Sequence, residues 1–275
     1  MTDSRIKRAC HLAPWGRQHL QGLTAVSEAG FRFCEAGSQL LLAYADRLPL
    51  LKEQLAYCQI KLSAVYELGH FENWARRREL YLYHQKLART LSIMDTGLVI
   101  LSPGFSFTQR WSIDAASRML ELIGEMARRY RHEGISVGIH PHLGSLFFTE
   151  QQIDYFMERL PAGIGLAPDF GHLAEAQIDI PAFLRKYGCK IRSIHLKDAV
   201  YVNANRSAEA RSTPRRIRKT RFCWPGKGEL DLNAAIEALS EIGYQEWLTV
   251  ELEPFGERLQ EGALEASRYL ECRVP

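Results

Sequence analysis

Two spacings of apolar residues take turns along the chain. Short apolar runs closed by Gly, Pro or charged residues suit strands. Longer stretches with apolar positions three and four apart suit amphipathic helices. Strands are expected at Ala9–Pro14, Phe31–Ala36, Lys61–Leu68, Leu98–Ser102, Ser136–His140, the run Ile164-Gly165-Leu166-Ala167, the run ending Ile194-His195-Leu196, and Trp247–Glu251. Helices are expected at His19–Ala29, Leu40–Cys58 with a break at Pro49, Asn73–Ser92, Asp114–His132, Thr149–Leu160, Ile180–Tyr187, Leu232–Ile242 and Glu261–Glu271. Thr149 with Gln152 reads as a capping box, and Gly134 as a helix stop. The run from Ile164 to Ala167 has no polar face, as in a strand covered on both sides. Strand and helix alternate over 275 residues. That pattern predicts an α/β chain of the (β/α)8 TIM-barrel class, with residues 1–275 as a single domain.

One segment breaks the alternation. Val200–Pro225 follows the seventh strand as an inserted loop, residues 200–225, long for a compact domain. Between Arg206 and Arg221 it carries Arg206, Arg211, Arg215, Arg216, Arg218, Lys219 and Arg221 against Glu209 alone. A solvated insertion fits this composition. So does a lid, a clamp for an anionic substrate or a contact to another subunit.

Composition narrows function more than fold. Hydrophobic residues make up 46% of the chain, enough for a large core. A net charge of +3 leaves no strong electrostatic footprint for nucleic acid or membrane. No stretch approaches the roughly 18 consecutive apolar residues of a membrane span, and MTDSRIKRACHLAPWG has no secretory apolar region. Cys10, Cys34, Cys58, Cys189, Cys223 and Cys272 are irregularly spaced without a CxxC pair, which suits reduced thiols. A cytoplasmic location is therefore expected.

Candidate chemistry collects where the strands end. In order these ends offer Glu35, His70, His140 with His142, Asp169 with His172, His195 with Lys197 and Asp198, and Glu251 with Glu253. The C-terminal strand ends are where a barrel of this class builds its active site. Imidazole mixed with carboxylate suits Mn, Co, Zn, Fe or Mg better than thiolate chemistry would. One strand-end His is more often a satisfied polar group than a ligand. The signal is the recurrence of such groups at successive connections. Lys197 with Asp198 reads equally well as an ion pair shaping the strand end, and Glu35 as a structural carboxylate. Strand alternation is expected to turn Glu253 away from the side that Glu251 faces.

Three pieces carry a family likeness: HPHLGS at 140–145, DFGHLAEAQIDIPAFLRKYGCKIRSIHLKD at 169–198, and GKGELDLNAAIEALSEIGYQEWLTVELE at 226–253. They resemble the xylose-isomerase-like barrels of the sugar phosphate isomerase/epimerase superfamily, and within it most the inosose dehydratase branch. The resemblance implies one divalent metal ion, of unknown identity, at His140, Asp169, His195 and Glu251. It implies a polyol- or sugar-like ketone that loses a proton α to a metal-bound carbonyl. Glu251, His172, His142 and Lys197 would then be catalytic, and Glu35, His142, His172 and Lys197 would contact substrate.

Two positions depart from the pattern. Isomerases and epimerases of the superfamily carry Glu where this chain has His140, so one of the two opposed carboxylates of a symmetric epimerisation is missing. In the dehydratase branch an acid follows the HPHxG motif; here Phe148 stands there, and the nearest acid is Glu150. A metal-dependent lyase working by β-elimination is favoured over a sugar isomerase or epimerase. An AP-endonuclease-like metallonuclease and a non-catalytic, partner-dependent barrel stay open, the first through the Arg-rich loop and the second through Phe148. Neither nucleic acid nor membrane is expected as a partner, and a homo-oligomer is left open.

Overall fold

The computed structural model describes residues 6–105, 110–202, 219–253 and 258–274. Its main sheet is built from β1 (Lys7–His11), β2 (Phe33–Gly37), β3 (Lys61–Leu68), β4 (Leu98–Ser102), β5 (Ser136–Ile139), β6 (Ile164–Leu166), β7 (Ser193–Leu196) and β10 (Trp247–Val250). Two further strands, β8 (Asp198–Tyr201) and β9 (Thr220–Cys223), lie between β7 and β10 in sequence and pair only with each other. The eight parallel strands run in the order β6-β5-β4-β3-β2-β1-β10-β7. Single parallel bridges, Leu166 with Ile191 and Asp169 with His195, join the two ends of that order and close a TIM barrel. Gly165 permits the closure, because a side chain there would run into the Lys190 carbonyl oxygen and the Arg192 side chain.

Alternation along each strand sorts its side chains. Ile194 and Leu196 join the large core cluster with Leu248, Leu239 and Phe183. His195 and Lys197, one residue out of phase, fall inside the barrel. The barrel interior holds a small apolar cluster of Ala64, Leu98, Ile100 and Ala167 beside Tyr66 and Trp247. Above it the interior turns polar.

The helical layer is α1 (His19–Glu28), α2 (Ser38–Ala43), α3 (Leu48–Tyr57), α4 (Arg77–Ile93), α5 (Ile113–His132), α6 (Glu150–Arg159), α7 (Phe170–Glu175), α8 (Ile180–Tyr187), α9 (Leu232–Glu241) and α10 (Leu259–Arg273). The expected break at Pro49 is a helix start: Pro49 sits in the first turn of α3, where a missing N–H costs nothing. The capping box is present, with Thr149 accepting from the Gln152 N–H and Gln152 accepting from the Thr149 N–H at 3.0 Å.

Two elements lie outside the expectation. The short helix α7 is opened by Asp169, whose Oδ1 accepts the His172 N–H at 2.9 Å. It is too brief to show a helical period. The flanks of the insertion form the β8–β9 hairpin, while residues 203–218, with Arg206, Arg211, Arg215, Arg216 and Arg218, lie outside the described residues. Asp198 fastens the base of that hairpin. Its carboxylate accepts backbone N–H bonds from Ala199 (2.8 Å), Gly226 (2.9 Å), Gly228 (2.9 Å) and Leu230 (3.3 Å). The expectation of free thiols holds for all six cysteines; Cys10 and Cys34 stand side by side on β1 and β2 without a bond. Among the described residues no helix is long and apolar enough to cross a membrane.

Candidate active site

A cavity of about 590 Å³ opens at the C-terminal ends of the strands. Beneath it, three side chains from separate strand ends converge: Asp169 beyond β6, His195 in β7 and Glu251 just beyond β10. One possible ligand atom from each lies within 4.8 Å of the others. Asp169 and His195 are buried. The His195 Nε2–H donates to Glu35 Oε1 at 2.9 Å. Its Nδ1 lies 2.8 Å from Glu251 Oε2 without the alignment of a hydrogen bond. Asp169 Oδ2 is likewise buried without a hydrogen-bond partner. Each atom has a charged neighbour, Glu251 for the ring and Lys197 at 3.5 Å for the carboxylate, but no aligned hydrogen bond, which leaves both able to ligate a cation. A divalent cation fits the donors: two carboxylates and an imidazole whose far nitrogen is held by a third carboxylate, the usual outer support of a ligating His.

Lys197 stands beside this group. Its Nζ lies 2.9 Å from Glu251 Oε1, 3.1 Å from Glu253 Oε1 and 3.5 Å from Asp169 Oδ2, under the Phe222 ring at 4.6 Å. Burial alone would push the ammonium toward neutrality. Asp169, Glu251 and Glu253 outweigh it and hold the Lys197 pKa above its ordinary value. Burial would neutralise His195 too, but Glu35 and Glu251 raise its pKa well above the usual range. For Glu251, burial opposes ionisation while Lys197 and His195 drive its pKa well down.

Adjoining them in the same cavity stand His140, His142 and His172, a second group with ligand atoms within 4.8 Å of one another. The Nδ1–H of His140 donates to the Ala167 carbonyl at 2.9 Å, and that of His142 to the Leu143 carbonyl at 2.7 Å. His172 Nδ1 faces Glu175 Oε2 at 3.0 Å, and Glu175 in turn accepts from Thr220 at 2.8 Å. Burial lowers the pKa of His140 well below 6.5, and with His172 nearby it takes His142 down to about 4. At neutral pH these two rings are neutral, with their protons on Nδ1. They accept hydrogen bonds or bind cations through Nε2, and have no proton to give from it.

The structure thus brings Asp169, His195, Glu251 and Lys197 together, and puts His142 and His172 on the adjoining cavity wall. His140, expected beside the first three, borders both groups: its ring centroid lies 5.0 Å from that of His195 and 5.7 and 5.8 Å from those of His142 and His172. Glu35 is fully buried beneath the cavity, paired with His195 and 3.2 Å from His11 Nε2, so it reaches no substrate hydroxyl directly. The expected Lys197–Asp198 ion pair is not formed, because Asp198 points into the hairpin base. Glu253 lines the cavity instead of turning away; β10 ends at Val250, so strand alternation no longer governs it. Phe148 is buried, and its N–H donates to Gln152 at the start of α6.

His11, Tyr66, Glu175 and Phe222 are among the cavity residues that escaped the sequence reading. His11 is the last residue of β1, a strand expected two residues later along the chain. Tyr66 follows the inward parity of β3 and was readable from alternation. Glu175 lies one helical turn after His172. Phe222 sits on β9, where no pattern pointed to it.

The family model for the xylose isomerase-like TIM barrel matches residues 23–271. The chain belongs to that family. One relative of this xylose isomerase-like barrel is the inosose dehydratase of Erwinia tasmaniensis, 27% identical over 272 residues, covering 91% of this chain and 88% of the relative. A D-psicose 3-epimerase from Clostridium cellulolyticum H10, solved with D-tagatose, superposes with a TM-score of 0.78 at 17% identity, covering 98% of this chain and 99% of that one. The IOLI protein with a zinc atom bound superposes at 0.76 and 20% identity, covering 98% of this chain and 96% of that one. At such identities the two structures speak for a shared fold. With its curated relatives, this xylose isomerase-like barrel is an enzyme.

Proposed function

We propose that the protein is a divalent-metal-dependent lyase that removes water from a polyol- or sugar-like ketone, in the manner its inosose dehydratase relatives are named for. The observation carrying this reading is the convergence of Asp169, His195 and Glu251, with two buried ligand-type atoms lacking hydrogen-bond partners. These three residues would hold the ion. When bound, it would act as a Lewis acid on a carbonyl oxygen and acidify the adjacent C–H.

The protein's own groups do the rest. Glu251, or an Nε2 lone pair on the histidine wall, accepts the α-proton. The C–O bond at the next carbon breaks, and a C=C bond forms in the plane of the ketone. Returning the captured proton to the departing hydroxide releases water and restores the base. His142 and His172 accept hydrogen bonds from substrate hydroxyls. The Lys197 ammonium lies close enough to steady negative charge on oxygen, and Phe222 shields it from water. Glu35 acts through His195, by fixing its tautomer. A symmetric sugar epimerase would need a second carboxylate facing Glu251; the fifth-strand position offers His140 instead.

The test is elimination from an inosose, followed by ultraviolet absorption of the conjugated product, with metal content measured on the same sample. Asp169→Asn should lose both metal and turnover. Full turnover in a metal-free Asp169→Asn protein would refute the reading.

A further inference from the structure

We infer that a second chamber beside the catalytic cavity takes a neutral sugar ring joined to the polyol-like ketone, so that the full substrate has two rings and Glu67 holds the second. This deepens the proposed function and rests on it for the first ring. The catalytic cavity, at about 590 Å³, is already large enough for a small molecule. A larger chamber of about 1080 Å³ adjoins it beside β1, β2 and β3, and Ala13, Gly37 and Tyr66 line both. A side chain at Gly37 would meet only open space, so the boundary is not sealed there.

Glu67 makes the chamber a site. It follows Tyr66 on β3, and strand alternation turns it out of the barrel toward α2 and α4. It is 6% exposed, and it lines the chamber. Ser38, the first residue of α2, and Tyr83 on α4 both donate their hydroxyls to Oε2, Tyr83 at 2.7 Å. Among the described residues, Oε1 accepts no hydrogen bond and no Lys or Arg pairs with the carboxylate. A buried acceptor left without a partner is costly, and a ligand hydroxyl reaching Oε1 removes that cost. Charge around the chamber selects the occupant. An anion would face the Glu67 oxygens. A cation would face Arg17 and Arg47, both exposed on the lining, with Arg47 over the Tyr44 ring at 4.8 Å. The occupant that fits is uncharged, donates hydroxyl hydrogens and has an apolar face for Tyr44, Leu40 and Leu80. A pyranose ring has all three properties.

Calorimetry with two unreactive probes decides the matter. myo-Inositol offers the first ring alone; galactinol is myo-inositol carrying a galactosyl ring. The metal-loaded full chain should bind galactinol about tenfold more tightly, the gain expected of one hydrogen bond to a charged acceptor. In Glu67→Gln the amide oxygen keeps Ser38 and Tyr83, and the amide nitrogen that replaces Oε1 cannot accept. That variant should lose the preference for galactinol. Leu40→Trp, which fills the chamber from the partly exposed side of α2, should lose it too. Equal affinities in the wild type overturn this inference and, since no turnover is read, leave the dehydration reading standing. A preference that survives in Glu67→Gln overturns it as well. Free galactose binding as tightly as galactinol, without competing against myo-inositol, makes the chamber a separate site and overturns it. No elimination from an inosose, with the galactinol preference intact, sinks the reaction and keeps the chamber. Should the variants fail to fold, the wild-type comparison still decides.

Discussion

Glu35 is the residue whose role changes most between sequence and structure. It ends the second strand, as a substrate contact would, yet it lies wholly under the cavity with His195 as its partner. Glu35→Gln should leave the protein folded and weaken metal binding about 10–100-fold, measured by competition with a chromogenic chelator. An unchanged affinity would remove its positioning role. Asp169, His195 and Glu251 were legible because each ends an apolar run abruptly. His11 and Phe222 were not, since one ends a short, poorly bounded strand and the other enters the cavity from an insertion. Another buried ring gives a pH signature. His84 packs against Phe71 and bonds the Tyr130 hydroxyl at 2.7 Å; burial pushes its pKa from 6.5 to about 3. Below pH 6.5 the unfolded chain takes up a proton that folded His84 refuses. Its contribution to stability is therefore complete above that pH and declines as the solution is acidified toward 3. The urea midpoint of His84→Gln should fall less steeply than that of the wild type across this window.

Among the elements, α6 shows what local sequence can specify. Thr149 and Gln152 close its first turn reciprocally, as their spacing required. Thr149→Ala should cost about 1 kcal/mol, read as a lower chemical-denaturation midpoint. No loss would mean that water replaces the cap. The strands of the barrel were legible for a related reason: parallel strands covered on both faces are apolar runs, and the punctuation between them is plain. The helix α7 and the hairpin β8–β9 were not. Six residues hold less than two helical turns, and β8 and β9 are paired across a long insertion, with the partner of each strand far away in sequence. Both elements nevertheless build the histidine wall, through His172, Glu175, Thr220 and Phe222. The part of the site hardest to read is the part that depends on long-range pairing.

For the molecule as a whole, the seam between β6 and β7 is the informative place. Most neighbouring strands share several paired residues, but here Leu166 with Ile191 and Asp169 with His195 stand as single bridges. Asp169 and His195 are also two of the three proposed ligands, so a bound ion would staple the seam. Chelation should lower the melting temperature and speed amide exchange at Arg192 and His195, whose N–H groups bond across the join. At a free metal concentration a hundred times Kd, the stabilisation is about 2.7 kcal/mol. Equal melting temperatures with and without metal would contradict this. Elsewhere, Asp198 gathers both roots of the Arg-rich insertion on one carboxylate. With Thr220 and Phe222 of β9 kept in the cavity wall, the stretch carried between the far ends of β8 and β9 can change in length, and doubling it adds only about 0.6 kcal/mol of closure entropy. Evolution, or an engineer, could swap that stretch to court new guests while the machinery underneath stays in place.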